Sequence, residues 1–147
     1  ALLDQIPTYK INQCIFDIVE SYDPTVILMP FNNDLHNDHK IIHNATLVAT
    51  RPYLEKNEKI KLILEYETLS ETNIYNLDNQ HIFLPNFYVD ISNTLEQKLN
   101  AFKKYKSQQQ SINQPRSLEG IKSLARYRGI NINRIYAEAY KILYQKY

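Results

Sequence analysis

The stretch that decides the fold, Thr25–His39, reads TVILMPFNNDLHNDH. Its first part, Thr25–Met29, is an apolar run between two prolines, which is typical of a strand buried on both faces of a parallel sheet. The polar loop that follows, residues 32–39, is called the histidine loop below, and it ends in two imidazoles and a carboxylate, His36, Asp38 and His39. Because ligands of open α/β sheets bind beyond the carboxyl ends of the strands, the loop predicts a functional site.

The segments on either side of this stretch have the hydrophobic periods of helices and further strands. The spacing predicts helices over Tyr9–Ser21, His39–Tyr53, Leu95–Ser107 and Ser117–Gly129, and strands over Lys61–Tyr66 and Phe87–Ile91. The tail, Ile135–Tyr144, fits either a helix or a strand, because it combines a helical period with many Tyr and Ile residues. The strand at Thr25–Met29, its loop and the next helix would form a strand-loop-helix unit of an α/β fold.

Composition limits the function classes. The 147 residues are 44% hydrophobic and carry 17 basic and 16 acidic side chains, which is enough for one globular domain and gives no basic patch for nucleic acid. No apolar run approaches the ~18 residues of a membrane helix, and no signal sequence opens the chain, so we expect a cytoplasmic protein with no membrane span. The single cysteine, Cys14, lies at an apolar helical phase with Ile15 and Ile18, and we expect it to be buried.

The four histidines allow several kinds of chemistry. His39 and His43 are four residues apart on a predicted helix, a spacing that can bring two imidazoles to one metal ion. A pair at this spacing is more often two unrelated side chains, and His43 then packs beside Ile42 and Leu47. Asp38 can fix the tautomer of His36, or it can begin the helix as its N-cap in a solvated turn. His81 follows polar residues, and we expect it to be exposed.

Several motifs along the chain occur in an order known from one protein family. They are Pro30–Thr50, Glu65–Glu67, Pro85–Ser92, Tyr105–Gln108, Pro115–Ser117, Ala125–Gly129 and Tyr136–Tyr140. This ordered set resembles the LmbE-like or PIG-L family, which comprises zinc-dependent N-acetylglucosamine de-N-acetylases. The first motif carries the Asn-Asp-Leu-His-x-Asp-His element, and together the motifs cover nearly the whole chain.

The resemblance implies a three-layer Rossmann-like α/β domain with a mostly parallel sheet, spanning residues 1–147, with an extended C-terminal tail. It implies zinc as the cofactor and His39 as a zinc ligand, which argues against His43 in that role. His36 would be the catalytic histidine that acts as general acid or electrostatic stabiliser, and Asp38 would orient it. The implied reaction is hydrolysis of the N-acetyl amide of an N-acetylglucosamine-type conjugate, so the partner is a small-molecule or glycoconjugate substrate.

The sequence also departs from the family. The opening Ala-His-Pro-Asp-Asp-Glu motif, which in the family carries the other zinc ligands and the general base, does not occur. The chain therefore resembles the C-terminal two-thirds of the domain, with the N-terminal portion missing, and we expect residues 1–147 alone to bind zinc poorly and to be inactive. Two alternatives remain: a remnant that serves as a binding or homo-oligomerisation module through Thr68–His81, and a metal-independent α/β hydrolase that uses His36 and Asp38.

Overall fold

The computed structural model describes residues 2–75 and 81–147. The chain divides into two compact units, the first with bounds Ala1–Leu84 and Lys141–Tyr147 and the second with bounds Pro85–Tyr140. The helices are α1 (Thr8–Tyr22), α2 (Asn37–Ala49), α3 (Leu95–Phe102) and α4 (Leu118–Ile130), and the strands are β1 (Val26–Pro30), β2 (Leu62–Tyr66), β3 (Phe87–Asp90) and β4 (Ala137–Gln145). Short 3-10 helices cover Leu3–Gln5, Glu55–Asn57 and Lys106–Gln108. The strand order is β1-β2-β4-β3, and the predicted α/β class is confirmed.

The first unit is built on the parallel pair β1 and β2, whose register runs from Val26 opposite Leu62 to Pro30 opposite Tyr66. Helix α1 begins and ends within one residue of its predicted bounds, whereas α2 begins two residues before and ends four residues before its predicted bounds. Buried apolar side chains fill the core of this unit: Met29, Ile60 and Ile63, with Val19, Ile27 and Tyr144 packed against them. The parallel pairing places the histidine loop beyond the carboxyl end of β1, as predicted.

Burial of β1 on both faces was a wrong prediction for its first half. Val26 is 48% exposed and Leu28 52% exposed, whereas Met29 is buried. Val26 and Leu28 are two residues apart and share one face of the strand, whereas Met29 lies on the other, so the prediction fails where that first face is poorly covered. β1 is also an outer strand of the sheet, with which only β2 pairs among the residues the structure describes. An open apolar cavity of about 460 Å³ lies along this strand, lined in part by Ile18, Leu28 and Tyr66.

The predicted burial of Cys14 is also wrong, since this thiol is exposed. Only Ile11 is fully buried on α1, so the inner stripe of the helix is narrower than its apolar sequence suggests. Cys14 and Ile18 are one turn apart and line an open surface cavity together with polar side chains of α1 such as Gln13. The apolar phase of Cys14 therefore did not lead to burial.

The second unit pairs β3 antiparallel to the first half of β4, with Phe87 opposite Tyr140 and Asp90 opposite Ala137. The tail is thus a strand, as the family resemblance implied. Helices α3 and α4 pack through a small apolar core of Ile91, Leu95, Leu99 and Ala125. Helix α4 begins as predicted after Ser117, whose hydroxyl oxygen accepts a 2.9 Å hydrogen bond from the Gly120 N–H.

Helix α3 ends at Phe102, five residues before its predicted end near Ser107. Tyr105, which the helical period placed on the inner side, is 66% exposed. Because a longer helix would bury no further apolar side chain here, packing does not stabilise it. The chain instead forms turns, in which the Lys104 and Tyr105 N–H groups donate hydrogen bonds to carbonyl oxygens three residues earlier. No helix of the described ranges is long and apolar enough to cross a membrane.

Candidate functional site

The site is centred on His39, in the first turn of α2. Its Nδ1 lies 2.7 Å from Oδ2 of Asp34, a carboxylate that is fully buried. An ionised carboxylate only accepts hydrogen bonds, so Nδ1 of His39 carries the proton in this contact. Nε2 makes no hydrogen bond within residues 2–75 and 81–147, and the side chain is 27% exposed. The imidazole is thereby held through one nitrogen while its other nitrogen stays available.

The polar stretch after β2 supports this pair. The Thr72 hydroxyl donates a hydrogen bond to Oδ1 of Asp34 and accepts one of 2.8 Å from the Thr68 N–H. The Leu35 N–H also donates to the carbonyl oxygen of Glu71 at 3.2 Å. Residues 68–72 therefore hold the histidine loop in place through hydrogen bonds. Residues 76–80, which belong to the predicted oligomerisation surface, lie outside the described ranges.

His36 lies beside His39, with ring centroids 5.4 Å apart and planes inclined by 28°. It is the N-cap residue of α2, and its Nδ1 accepts a 3.2 Å hydrogen bond from the Asp38 N–H. The Asp38 carboxylate lies 4.0 Å from the same nitrogen and instead accepts a 3.1 Å hydrogen bond from the Leu3 N–H. Asp38 is thus not the N-cap. The contact that orients His36 is made by the Asp38 backbone, and an orienting role for its carboxylate stays a prediction.

The other two histidines lie apart from this pair. His43 is buried, and its Nδ1 is 3.1 Å from the Pro30 carbonyl oxygen and 3.2 Å from Oε1 of Glu65. The packed alternative for His43 therefore fits better than a shared metal site with His39, as the resemblance also implied. His81 is exposed, as predicted.

The pKa of Tyr66, the last residue of β2, is affected by the carboxylate of the site. This pKa is raised above the ordinary value, first because the phenol is half-buried and second because the Asp34 carboxylate is nearby. Both causes disfavour a phenolate, so Tyr66 remains a neutral hydroxyl at the end of the strand next to the histidine loop.

The residues at this site fit zinc as part of a ligand set. Histidines that bind zinc in proteins commonly donate a hydrogen bond from their second ring nitrogen to a carboxylate. This hydrogen bond fixes the tautomer and raises the basicity of the nitrogen that binds the metal. His39 and Asp34 have this arrangement. No group of three or more His, Cys, Asp or Glu side chains is placed to hold a metal ion in the described part of the chain. Among the described residues, His39 therefore has the surroundings that a zinc ligand requires, and its role as a ligand stays a prediction.

Comparison with solved structures shows the same fold in larger proteins. The chain is similar to the conserved protein TT1542 from Thermus thermophilus (TM-score 0.71, 21% identity, 97% of this chain and 61% of that one). It is also similar to the N,N'-diacetylchitobiose deacetylase from Pyrococcus horikoshii (0.60, 18%, 95% and 53%) and to GalB, the 4-carboxy-2-hydroxymuconate hydratase from Pseudomonas putida (0.65, 17%, 95% and 60%).

These likenesses establish the fold, which hosts at least a deacetylase and a hydratase. The chain spans between 53% and 61% of the length of these three structures. No protein-family model matches the sequence, and a search of curated proteins finds no match.

Asp34 is the site residue that sequence reasoning missed. It lies in the same loop, five residues before His39, but the position of Asp38 next to both histidines favoured Asp38 as the orienting carboxylate. The contact between Asp34 and His39 depends on how the loop folds back on the first turn of α2, so spacing alone does not show the pair. An acidic residue just after an apolar strand was the available signal.

Replacing Asp34 with Asn tests its role as support for a metal ligand. We expect Asp34→Asn to lower the zinc affinity of the complete protein about 10–100-fold, because the Nδ1 proton of His39 would lose its charged acceptor. Isothermal titration with Zn²⁺ measures this. Asp17→Asn is the matched control, since Asp17 lies on the outer side of α1, where its carboxylate accepts a hydrogen bond from Gln13. Equal affinities for the two variants would contradict the role of Asp34.

Proposed function

We propose that this chain belongs to a zinc-dependent amide hydrolase that removes an N-acetyl group from an N-acetylglucosamine-type conjugate. The observation that carries the proposal is the pairing of His39 with buried Asp34 at 2.7 Å, which leaves Nε2 available beyond the carboxyl end of β1. The motif order of the sequence and the fold shared with a diacetylchitobiose deacetylase support the same reaction. The remaining metal ligands and the general base would come from outside the described residues.

In this proposal Nε2 of His39 would hold zinc, and Asp34 keeps the ring in the required tautomer. When bound, zinc would polarise the amide carbonyl and lower the pKa of a water molecule. His36 donates a proton to the departing amine. Because its Nδ1 accepts the Asp38 N–H, the proton of neutral His36 resides on Nε2, the nitrogen that can donate it. The His36 side chain is 48% exposed, which leaves it accessible to a substrate.

Chelation separates this proposal from the metal-independent alternative. The complete protein is incubated with N,N'-diacetylchitobiose, and released acetate is measured before chelation, after chelation and after zinc is restored. The proposal expects acetate release that falls on chelation and returns with zinc. Release that chelation leaves intact would favour the acid-base pair of His36 and Asp38 without metal. No release from any N-acetylglucosamine conjugate under zinc-loaded conditions would remove the proposed reaction.

His36→Gln tests the proton donor. We expect kcat to fall about 10²–10⁴-fold, the usual contribution of general acid–base catalysis, while the zinc content per chain stays unchanged. Steady-state kinetics and metal analysis on the same preparation give both numbers. His81→Gln serves as the control, because His81 is also an exposed histidine but lies outside the histidine loop. An unchanged kcat in His36→Gln would remove this residue from the chemistry.

A further inference from the structure

Glu65 is a charged side chain that the proposed chemistry leaves unused. It lies on β2, one residue before its end, and only 1% of its surface is exposed. A carboxylate at such a depth is costly unless hydrogen bonds and opposite charges compensate for the lost water. Its position in the core of the first unit therefore calls for a specific set of partners.

The two carboxylate oxygens of Glu65 have different partners. Oε1 accepts a 3.1 Å hydrogen bond from the Asn32 N–H and lies 3.2 Å from Nδ1 of His43. The same Nδ1 is 3.1 Å from the Pro30 carbonyl oxygen, and since both neighbours are acceptors, this nitrogen carries a proton. Oε2 lies 3.3 Å from Nζ of Lys141, an ion pair that lacks hydrogen-bond alignment.

The partners of Glu65 come before and after the candidate metal ligand His39 in the sequence. Asn32 opens the histidine loop, before Asp34, and His43 lies on α2 four residues, about one turn, after His39. One carboxylate thus contacts the start of the loop, through a hydrogen bond from Asn32, and the helix that follows it, through the His43 imidazole, so it bears on the position of the loop start and on the rotation of the helix. Both must be correct for Nδ1 of His39 to meet Asp34 at 2.7 Å.

Lys141 and Phe31 complete the arrangement. The Lys141 ammonium group also lies 5.5 Å from the centroid of the Phe31 ring, within cation–π range. Phe31 is fully buried and meets Phe83 edge to face, with centroids 5.3 Å apart. The residue that precedes Asn32 is therefore packed in place, and the positive charge that compensates Glu65 comes from β4.

We propose that Glu65 is a positioning residue for the His39 centre, holding the loop start through Asn32 and helix α2 through His43. This inference rests on the proposed function, for which His39 is the metal ligand. Lys141 supplies the compensating charge. The chemical requirement on residue 65 is an acceptor oxygen at the place of Oε1, more than a negative charge.

An alternative is that Glu65 only contributes to the stability of the core. Buried ion pairs are often replaced by apolar residues of similar volume without loss of stability, so stability alone does not require this carboxylate. Leucine at position 65 would fill the space but accept no hydrogen bond from the Asn32 N–H, and it would remove the oxygen that lies 3.2 Å from Nδ1 of His43. Glutamine would keep an acceptor oxygen. Comparing Glu65→Leu with Glu65→Gln therefore distinguishes a role in positioning His39 from a role in filling space in the core.

The test reads the histidine tautomers of the complete protein without zinc or substrate. Proteins with isotope-labelled histidine are compared by nitrogen–proton correlation spectra at mildly alkaline pH. In the parent protein and in Glu65→Gln we expect His39 and His43 each to carry the proton on Nδ1. In folded Glu65→Leu we expect the single His39 form to be replaced by a mixture of tautomers.

Ile63→Ala is the matched control, because Ile63 is a buried residue of the same strand that packs in one core with Met29 and Ile60. It should lower stability and keep the His39 signal. The proposal is overturned if folded Glu65→Leu retains the single Nδ1–H form, or if Ile63→Ala loses it to the same degree. Should Glu65→Leu fail to fold, His43→Leu takes its place, with loss of the His39 form supporting the proposal and retention overturning it. Since neither zinc nor substrate is present, the result is independent of whether the protein deacetylates.

Discussion

His39→Ala is expected to abolish zinc binding by the complete protein and to reduce acetate release at least about 10³-fold. The physical reason is that a catalytic zinc site needs three protein ligands, and the charge stabilisation that a metal supplies to a transition state is several kcal/mol. Each 1.36 kcal/mol corresponds to a factor of about ten in rate. Zinc per chain, measured by mass spectrometry of the metal, and acetate release from the same preparation are the two readouts.

His81→Ala is the control for His39→Ala, because it removes an exposed histidine from another part of the first unit. It should keep both zinc and activity. Asp34 offers an internal comparison, since removing the ligand should cost more affinity than removing the group that orients it. A His39→Ala protein that still holds one zinc ion and turns over substrate would show that the metal ligands lie elsewhere.

Gly129→Ala is expected to destabilise the second unit by about 2 kcal/mol, within the usual cost of overpacking. A Cβ atom at Gly129 would lie 2.8 Å from the carbonyl oxygens of Arg134 and Ile135, and these are backbone atoms that cannot rotate away. The Gly129 carbonyl oxygen also accepts the Arg134 N–H at 2.9 Å, which fixes this close approach. The helix-propensity gain of alanine over glycine, about 1 kcal/mol, works in the opposite direction and is smaller.

Urea unfolding followed by far-UV circular dichroism measures the change as a lower transition midpoint. Ser123→Ala on the same helix is the control, because Ser123 is exposed and its replacement changes helix propensity without a clash. It should leave the midpoint unchanged or raise it slightly. A Gly129→Ala midpoint equal to or above that of the parent would mean that residues 131–135 can move away from α4 at little cost.

Sequence reasoning predicted the elements whose patterns are local. The strands β2 and β3 and the helix that follows Ser117 have boundaries set by apolar runs and by a capping side chain, and these lie within a residue of where they were predicted. The position of the histidine loop was predictable too, because it follows directly from the end of β1. The end of α3 was not, because Tyr105 has the right spacing for burial and yet contacts solvent.

The hydrogen bonds that hold the candidate site in place join residues that are far apart in the sequence. Thr72 is 38 residues from Asp34, and Glu65 is 33 residues from Asn32, so neither contact leaves a trace in local spacing. Local sequence instead favoured Asp38, which is close to both histidines but bonds to Leu3 through its carboxylate. The type of chemistry was therefore predictable from residue identity, whereas the orienting carboxylate depended on tertiary structure.

The outer edge of β1 has a consequence for how the polypeptide behaves. A strand edge exposes a row of backbone N–H and C=O groups that can template pairing with another chain, and proteins commonly guard such edges with lysine, bulges or covering segments. Residues Val26–Met29 contain no charged side chain, and about half of the surface of Val26 and of Leu28 is exposed. Whenever this edge is uncovered, during synthesis or after partial unfolding, it is a nucleus for self-association, and the apolar run that makes β1 a strand is also an aggregation hazard of the fold.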